Sequence, residues 1–305
     1  VDVSQLLNPG LSEVRVRSAR GWTGDRVALI DVSGFISSRP ADMFSWMDRC
    51  SPDGVRAALD MAASDRRVKA VVLRIDTPGG GVAPTDMIHH EVQRFAGHTG
   101  VPVVAVIMGV GCSGGYYVAS AASEIVVHPS ALTGSIGVVA VFPQLEGLAE
   151  KIGVDQVTIK SGSFKDIGSP LRPMRDDERA LLQGMIDSFH RQFVDAVFAG
   201  RRERIERPAL ERLADGRVLT GAEAVAHGLA DRVGYIDDAI ALAMRKAGID
   251  DAHVVTYVRG AVADATVYTV SRAAQGPMRF SAVDFGGLNP VSRAGFYYVW
   301  LPETK

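Results

Sequence analysis

Residues 109–123 read "GVGCSGGYYVASAAS" and set one serine, Ser113, among small residues between an apolar run and a helix-like stretch. The segment "GCSGG" satisfies G-x-S-x-G, the spacing that exposes a serine hydroxyl on a sharp strand-to-helix turn. On such a turn the backbone N–H of Gly114 opens a helix, where unpaired donors and the helix dipole favour an oxyanion. That is the chemistry of acyl transfer, and it requires a base. His190, His227 and His253 all lie downstream, as the α/β-hydrolase order of Ser, then Asp or Glu, then His demands, but no fixed spacing selects one of them. His89 and His90 read as a pair on a helix surface, and His128 as the start of a turn before Pro129. Lys165, in "SGSFKDIGSP" (161–170), is the other candidate base. Phe164 and Ile167 suit its partial desolvation, while Asp166 beside it offers an ordinary solvated ion pair instead.

A second glycine cluster, "RIDTPGGG" (74–81), follows a buried strand and precedes a helix. It reads either as a tight connection or as a binding loop. The Walker spacing and a G-x-G-x-x-G at this strand end are both absent, so a phosphate cradle is not expected, and the sequence calls for no cofactor. Two cysteines, Cys50 and Cys112, form neither a disulfide framework nor a metal cluster, and Cys112 reads as small buried filler. The net charge of −2 gives no electrostatic reason to expect nucleic acid.

These residues need a scaffold. "RVALIDVSG" (26–34), "VKAVVLRID" (68–76) and the run at 102–108 read as buried strands, separated by helical patterns in "DGVRAALDMAASD" and "TDMIHHEVQRFAGH". "GGYYVASAAS" continues the alternation into "EIVVHP" and "GSIGVVAVF". Repeated β-α units of this kind predict an α/β fold with a mostly parallel sheet. Between Thr99 and Leu145 the only formal charge is Glu124, yet glycines and prolines cut the region to strand length, which argues against membrane spans. Beyond it the sequence predicts a short helix, a strand over 154–160, and a long helix capped by Asp176 or Asp177 that runs through Gly200. Its apolar positions cover more than one face, so it should have two neighbours. Residues 220–248 read as helix, strand, helix. Residues 1–25 read as an irregular lead-in, 26–258 as the catalytic domain, and 259–305 as a C-terminal extension. The extension ends in the aromatic "RAGFYYVWLPETK", expected foremost to be an arm packing on a neighbour, with occupancy of the substrate groove as an alternative.

Taken together, "DTPGGG", "SGGYY", "TGSIGV" and "SGSFKDIGSP" occur in the order in which the signal peptide peptidase A family of serine proteases, the S49 type, carries them, and the chain resembles that family over 26–250. The resemblance implies the Clp protease and crotonase-like α/β superfold. It implies Ser113 as nucleophile and Lys165 as general base, a serine-lysine dyad. Ser135 matches the hydroxyl that orients the lysine, and Gly80 and Gly114 match the oxyanion-hole donors. It further implies peptide substrates such as remnant signal peptides, a homo-oligomeric ring, and a place at the bacterial cell membrane with the catalytic part outside the cytoplasm. Membrane attachment would run through an anchor that is not seen in this chain. An α/β-hydrolase esterase, a crotonase-type acyl-CoA enzyme and a non-catalytic membrane scaffold are the rival readings.

Overall fold

The computed structural model describes residues 10–38, 49–259, 262, 265–269 and 295–300. The chain runs through β1 (Leu11–Arg17), β2 (Arg26–Ser33), β3 (Phe35–Ile36), β4 (Arg49–Cys50), α1 (Pro52–Ser64), β5 (Val68–Thr77), β6 (Gly79–Gly81) and α2 (Val82–Thr99). It continues with β7 (Val103–Cys112), α3 (Gly114–Ala119), β8 (Glu124–Val127), β9 (Leu132–Gly134), β10 (Val139–Val141), α4 (Glu146–Lys151) and α5 (Asp176–Arg201). The remaining elements are α6 (Arg207–Leu213), β11 (Val218–Thr220), α7 (Gly221–Ala226), β12 (Arg232–Val233), α8 (Ile236–Ala247), β13 (His253–Arg259) and β14 (Gly295–Val299).

The expected α/β fold forms, with two mixed sheets. In the larger one the strands stand in the order β1-β13-β2-β5-β7-β8-β12, and β9 and β11 branch from β7. From β13 to β12 every neighbouring pair is parallel, and only β1 on β13 and β11 on β9 are antiparallel. Parallel strands need crossovers, and α1 and α2 supply them. With both faces covered, the central strands are apolar throughout: Val71 to Leu73 and Val103 to Ile107 are buried. One face packs on α1 to α3 and α5, the other on α8 through Ile236, Ile240 and Ala243. The smaller sheet has the order β10-β14-β6-β3-β4.

Several expectations need correcting. The lead-in is not irregular: Leu11–Arg17 is a strand, because pairing with β13 satisfies its backbone. Residues 154–160 form no strand. They are exposed throughout and have no ladder partner among the described residues, so the alternating Val154, Val157 and Ile159 lack a sheet to join. The long helix is capped at Arg175 rather than by Asp176 or Asp177, with the Glu178 carboxylate accepting the Arg175 N–H at 3.1 Å. Leu181 and Met185 remain exposed on it while Phe193, Val194 and Val197 are buried. The tail enters its own chain's smaller sheet as β14. Residues 1–9, 39–48, 270–294 and 301–305, which include most of the predicted extension, lie outside the described residues.

Two ion pairs are buried, one between the adjacent strands β2 and β5 and one at the end of α5. Arg74 donates from Nε and Nη2 to Asp31 at 2.5 and 2.9 Å, and its guanidinium also reaches the carbonyls of Val267 and Thr269. Arg201, at the end of α5, donates to Asp231 at 2.7 and 3.0 Å and to the Gly228 carbonyl. Removing one partner of such a pair strands the other charge in a poorly solvated site. Asp231→Ala, which leaves the buried Arg201 without a carboxylate, should therefore cost roughly 3–5 kcal/mol, read as a shift of the urea midpoint at pH 7.

Candidate active site

Strands β7 and β9 run side by side in parallel register, with Cys112 opposite Gly134. Each is followed by a serine. Ser113 and Ser135 therefore sit abreast, one residue beyond the last pair, and the Ser113 N–H donates to the Gly134 carbonyl at 2.8 Å. Both serines have positive φ, 52° and 49°, and no other described non-glycine residue does. Both are buried, at 1% and 7% exposure. A positive φ costs an L-residue energy and persists only where surrounding structure enforces it, which is common at functional turns. Here α3 begins at Gly114 on one side, with the Tyr117 N–H bonded to the Ser113 carbonyl at 2.9 Å. The Ser135 N–H is held by the Arg217 carbonyl at 2.7 Å.

The glycine cluster arrives from the smaller sheet. Gly79 has φ +105°, and a Cβ there would stand 2.8 Å from the Gly114 nitrogen. A Cβ on Gly80 would stand 2.0 Å from the Ile36 carbonyl oxygen, and one on Gly114 would lie 3.1 Å from the Gly79 Cα. Bare backbone is required at all three positions. The result is two backbone segments in contact beside the Ser113 turn, which is the arrangement an oxyanion hole needs. Thr85 is buried against Gly114, its Oγ1 without a hydrogen-bond partner among the described residues.

Ser113, Ser135, Gly80 and Gly114 thus converge. Lys165 does not join them in the single chain. It stands exposed in a series of turns, its N–H bonded to the Gly162 carbonyl at 3.1 Å, and no hydrogen bond links its ammonium to Ser113. Its loop is nevertheless organised. Asp166 turns its carboxylate to Arg172 at 2.9 Å and Lys160 at 2.6 Å, and those hydrogen bonds, that of Arg172 foremost, hold it well below the usual carboxylate range. Arg172 also grips the fully buried Glu178. The charges around Lys165 are paired with one another, so the adjacent Asp166 carboxylate is committed elsewhere.

None of the candidate histidines is hydrogen-bonded to Ser113. His190 Nε2 is 2.7 Å from the Ala214 carbonyl, His227 ends α7, and His253 Nδ1 accepts the Ala19 N–H at 3.0 Å. His89, expected on a surface, is 6% exposed, because α2 is covered by α1 and α3 over more than one face. Its ring stands edge-on to Tyr117 with centroids 4.9 Å apart, and Nε2 has no partner among the described residues.

Sequence reasoning also missed an aromatic pocket beside the turn. Tyr117 and Phe193 line it, with the Tyr117 hydroxyl bonded to Asp86 at 2.7 Å. The adjacent "YY" was the available signal, but helical spacing alone reads it as core. A groove of about 650 Å³ is lined by Phe142, Leu182 and Ile186 together with the polar Gln144, Glu146 and Arg179. Among the described residues no cluster of His, Cys, Asp or Glu has the makings of a metal site, and no helix is long and apolar enough to cross a membrane.

Residues 96–250 match the sequence model of peptidase family S49. A putative protease of Synechocystis is 36% identical over 71% of this chain and 73% of its own length. A putative signal peptide peptidase SppA of Enterococcus faecium is 30% identical over 72% of the chain and 63% of its length. The chloroplastic serine protease SPPA of Arabidopsis thaliana is 34% identical over 74% of the chain, which spans 33% of that longer protein.

Burial lowers the His89 pKa from 6.5 to about 4. Between those values the unfolded chain binds the proton and the folded chain does not, so stability falls as pH falls. From pH 7 to 5 the wild type should lose about 2 kcal/mol more than His89→Phe, measured by urea unfolding of both proteins.

Proposed function

The chain belongs to peptidase family S49, and on that premise we propose that it is a serine endopeptidase with a Ser113–Lys165 dyad, built on a Clp protease and crotonase-like core that spans 26–258. The observation that carries the reading is the pair of positive-φ serines at the ends of two adjacent strands, facing the Gly79–Gly114 backbone contact. A structural core has no use for two strained, buried hydroxyls beside stripped glycine backbone. An acyl-transfer site uses all of them.

In this mechanism neutral Lys165 accepts the Ser113 proton as the hydroxyl attacks a peptide carbonyl. The N–H groups of Gly80 and Gly114 hold the oxyanion, the protonated amine gives its proton to the leaving nitrogen, and water hydrolyses the acyl-enzyme. Ser135 accepts from or donates to the lysine and orients it. Because Lys165 is exposed in the single chain, its desolvation must come from closure of the 161–170 loop or from a neighbouring copy, which fits the proposed homo-oligomeric ring. The engagement of Asp166 by Lys160 and Arg172 favours the assignment, since a carboxylate on the ammonium would oppose deprotonation. The proposed substrates are apolar peptides, remnant signal peptides among them, met at the outer side of a bacterial cell membrane. The name of the E. faecium relative and the aromatic lining by Tyr117 and Phe193 support that choice.

Ser113→Ala and Lys165→Ala should each lower kcat/KM on apolar peptides by roughly a thousandfold or more, with products read by mass spectrometry. Lys165→Arg should not restore activity, because a guanidinium does not deprotonate. An esterase triad would instead lose activity on His227→Ala and keep it on Lys165→Ala. A crotonase-type enzyme would keep it on Ser113→Ala.

A further inference from the structure

Strand β14 occupies a distinctive position. It lies antiparallel between β10 and β6, with Phe296 opposite Ala140 and Tyr298 opposite Gly80. Without it the smaller sheet splits, and β10 and β6 face each other across a slot with two unpaired edges. An extended peptide is the shape that satisfies both edges at once.

The register fixes which carbonyl meets the catalytic turn. The Trp300 N–H donates to the Pro78 carbonyl at 2.8 Å. Bonded pairs alternate along an antiparallel ladder, so the next one is Tyr298 with Gly80, and the Gly80 N–H donates to the Tyr298 carbonyl. That oxygen also lies 3.0 Å from where a Cβ on Gly114 would stand and 2.0 Å from where one on Gly79 would. The Tyr298 carbonyl is therefore seated among the glycines assigned to the oxyanion.

The side chain fits as closely as the backbone. Tyr298 is fully buried, stacked on Tyr117 with ring centroids 5.3 Å apart and tilted on Phe193 at 4.8 Å. Its hydroxyl donates to the Phe189 carbonyl at 2.8 Å. Side chains alternate along the strand: Phe296 meets Phe189 and Phe142, while Tyr297 meets Phe35 on the opposite face.

We propose that β14 is a resident pseudo-substrate that closes the cleft in cis, and that the Tyr117–Phe193 pocket selects an aromatic side chain, tyrosine foremost, at the residue whose carbonyl is attacked. This rests on the peptidase reading for the meaning of the cleft. The strand competes with substrate through the same ladder bonds and the same pocket. Tyr117 and Phe193 are specificity-determining, and the Phe189 carbonyl distinguishes a phenol from a phenyl ring by one hydrogen bond.

A fluorescent peptide copying residues 295–300, GFYYVW, tests this without relying on turnover. It is titrated by anisotropy into the full chain carrying Ser113→Ala, and into the same chain with Tyr298→Asp or with Trp300→Pro, which removes the N–H donated to Pro78 together with the indole. Both release variants should bind it at least about tenfold more tightly than the parent, and peptides with Ala or Lys in the fourth position should bind more weakly than the Tyr peptide. Thermal melting checks folding, and Trp300→Pro carries the test if the buried Tyr298→Asp unfolds the chain. Equal binding to parent and folded release variants, or an Ala peptide binding as well as the Tyr peptide, overturns the proposal. With Ser113 restored, Trp300→Pro should raise turnover of apolar peptides by a similar factor. Tighter binding without Ser113-dependent turnover of any peptide would remove the peptidase reading and retain the occupied cleft. Turnover with no gain from either release variant would do the opposite.

Discussion

The contact between the Gly79 and Gly114 backbones is the constraint on which the site depends. Gly79 belongs to the smaller sheet and Gly114 opens α3, just beyond β7 of the larger one, and no side chain fits between them. Their approach sets the distance between the smaller sheet and the strand-to-helix turn of the larger one, and so defines the place where a carbonyl oxygen meets two main-chain segments at once. Main-chain donors suit that task because ladders and helix termini aim them, and they need no rotamer to be ordered when charge develops. The neighbouring serines inherit their strained geometry from the same junction. β7 and β9 end together, and both chains must turn away at the residue that follows.

Stability elsewhere offsets that strain. The central parallel strands are apolar on both faces, and the helices on either side bury two separate clusters against them. The buried pair Asp31–Arg74 joins opposed residues of the adjacent strands β2 and β5, and Arg201–Asp231 joins the end of α5 to the approach to β12. Such pairs contribute little net free energy against an apolar substitute but penalise misplacement heavily. Around Lys165 the logic differs. The ion pairs of Lys160, Asp166, Arg172 and Glu178 shape an exposed loop, fixing its base while leaving the amine uncommitted.

Local patterns in the sequence were enough for the β-α alternation, the strands from Arg26 to Ile107 and the helices between them, because buried parallel strands write themselves as unbroken apolar runs. Ser113 and the glycines were legible for a related reason, since their types are dictated by backbone geometry. What failed depended on partners distant in the chain. Leu11–Arg17 looked irregular until β13 supplied a ladder, and 154–160 looked like a strand although no ladder reaches it. His89 was read from the polarity of its neighbour His90, whereas its burial follows from the packing of α1 and α3 on the same helix. The pocket of Tyr117, Phe189 and Phe193 draws on residues far apart in sequence, and only the strand it encloses reveals its purpose.

The strand in the cleft and the cleft itself are parts of one molecule, at a fixed ratio of one to one. Dilution cannot separate them as it would a protein and a soluble inhibitor, because the encounter is intramolecular and its effective concentration comes from chain connectivity. Arg74 grips the carbonyls of Val267 and Thr269 and so holds part of the connection between β13 and β14 against the larger sheet. Abundance of the protein would then have no bearing on the fraction of clefts that stand open. Only a competitor for the strand, or a change to the tether, would alter it.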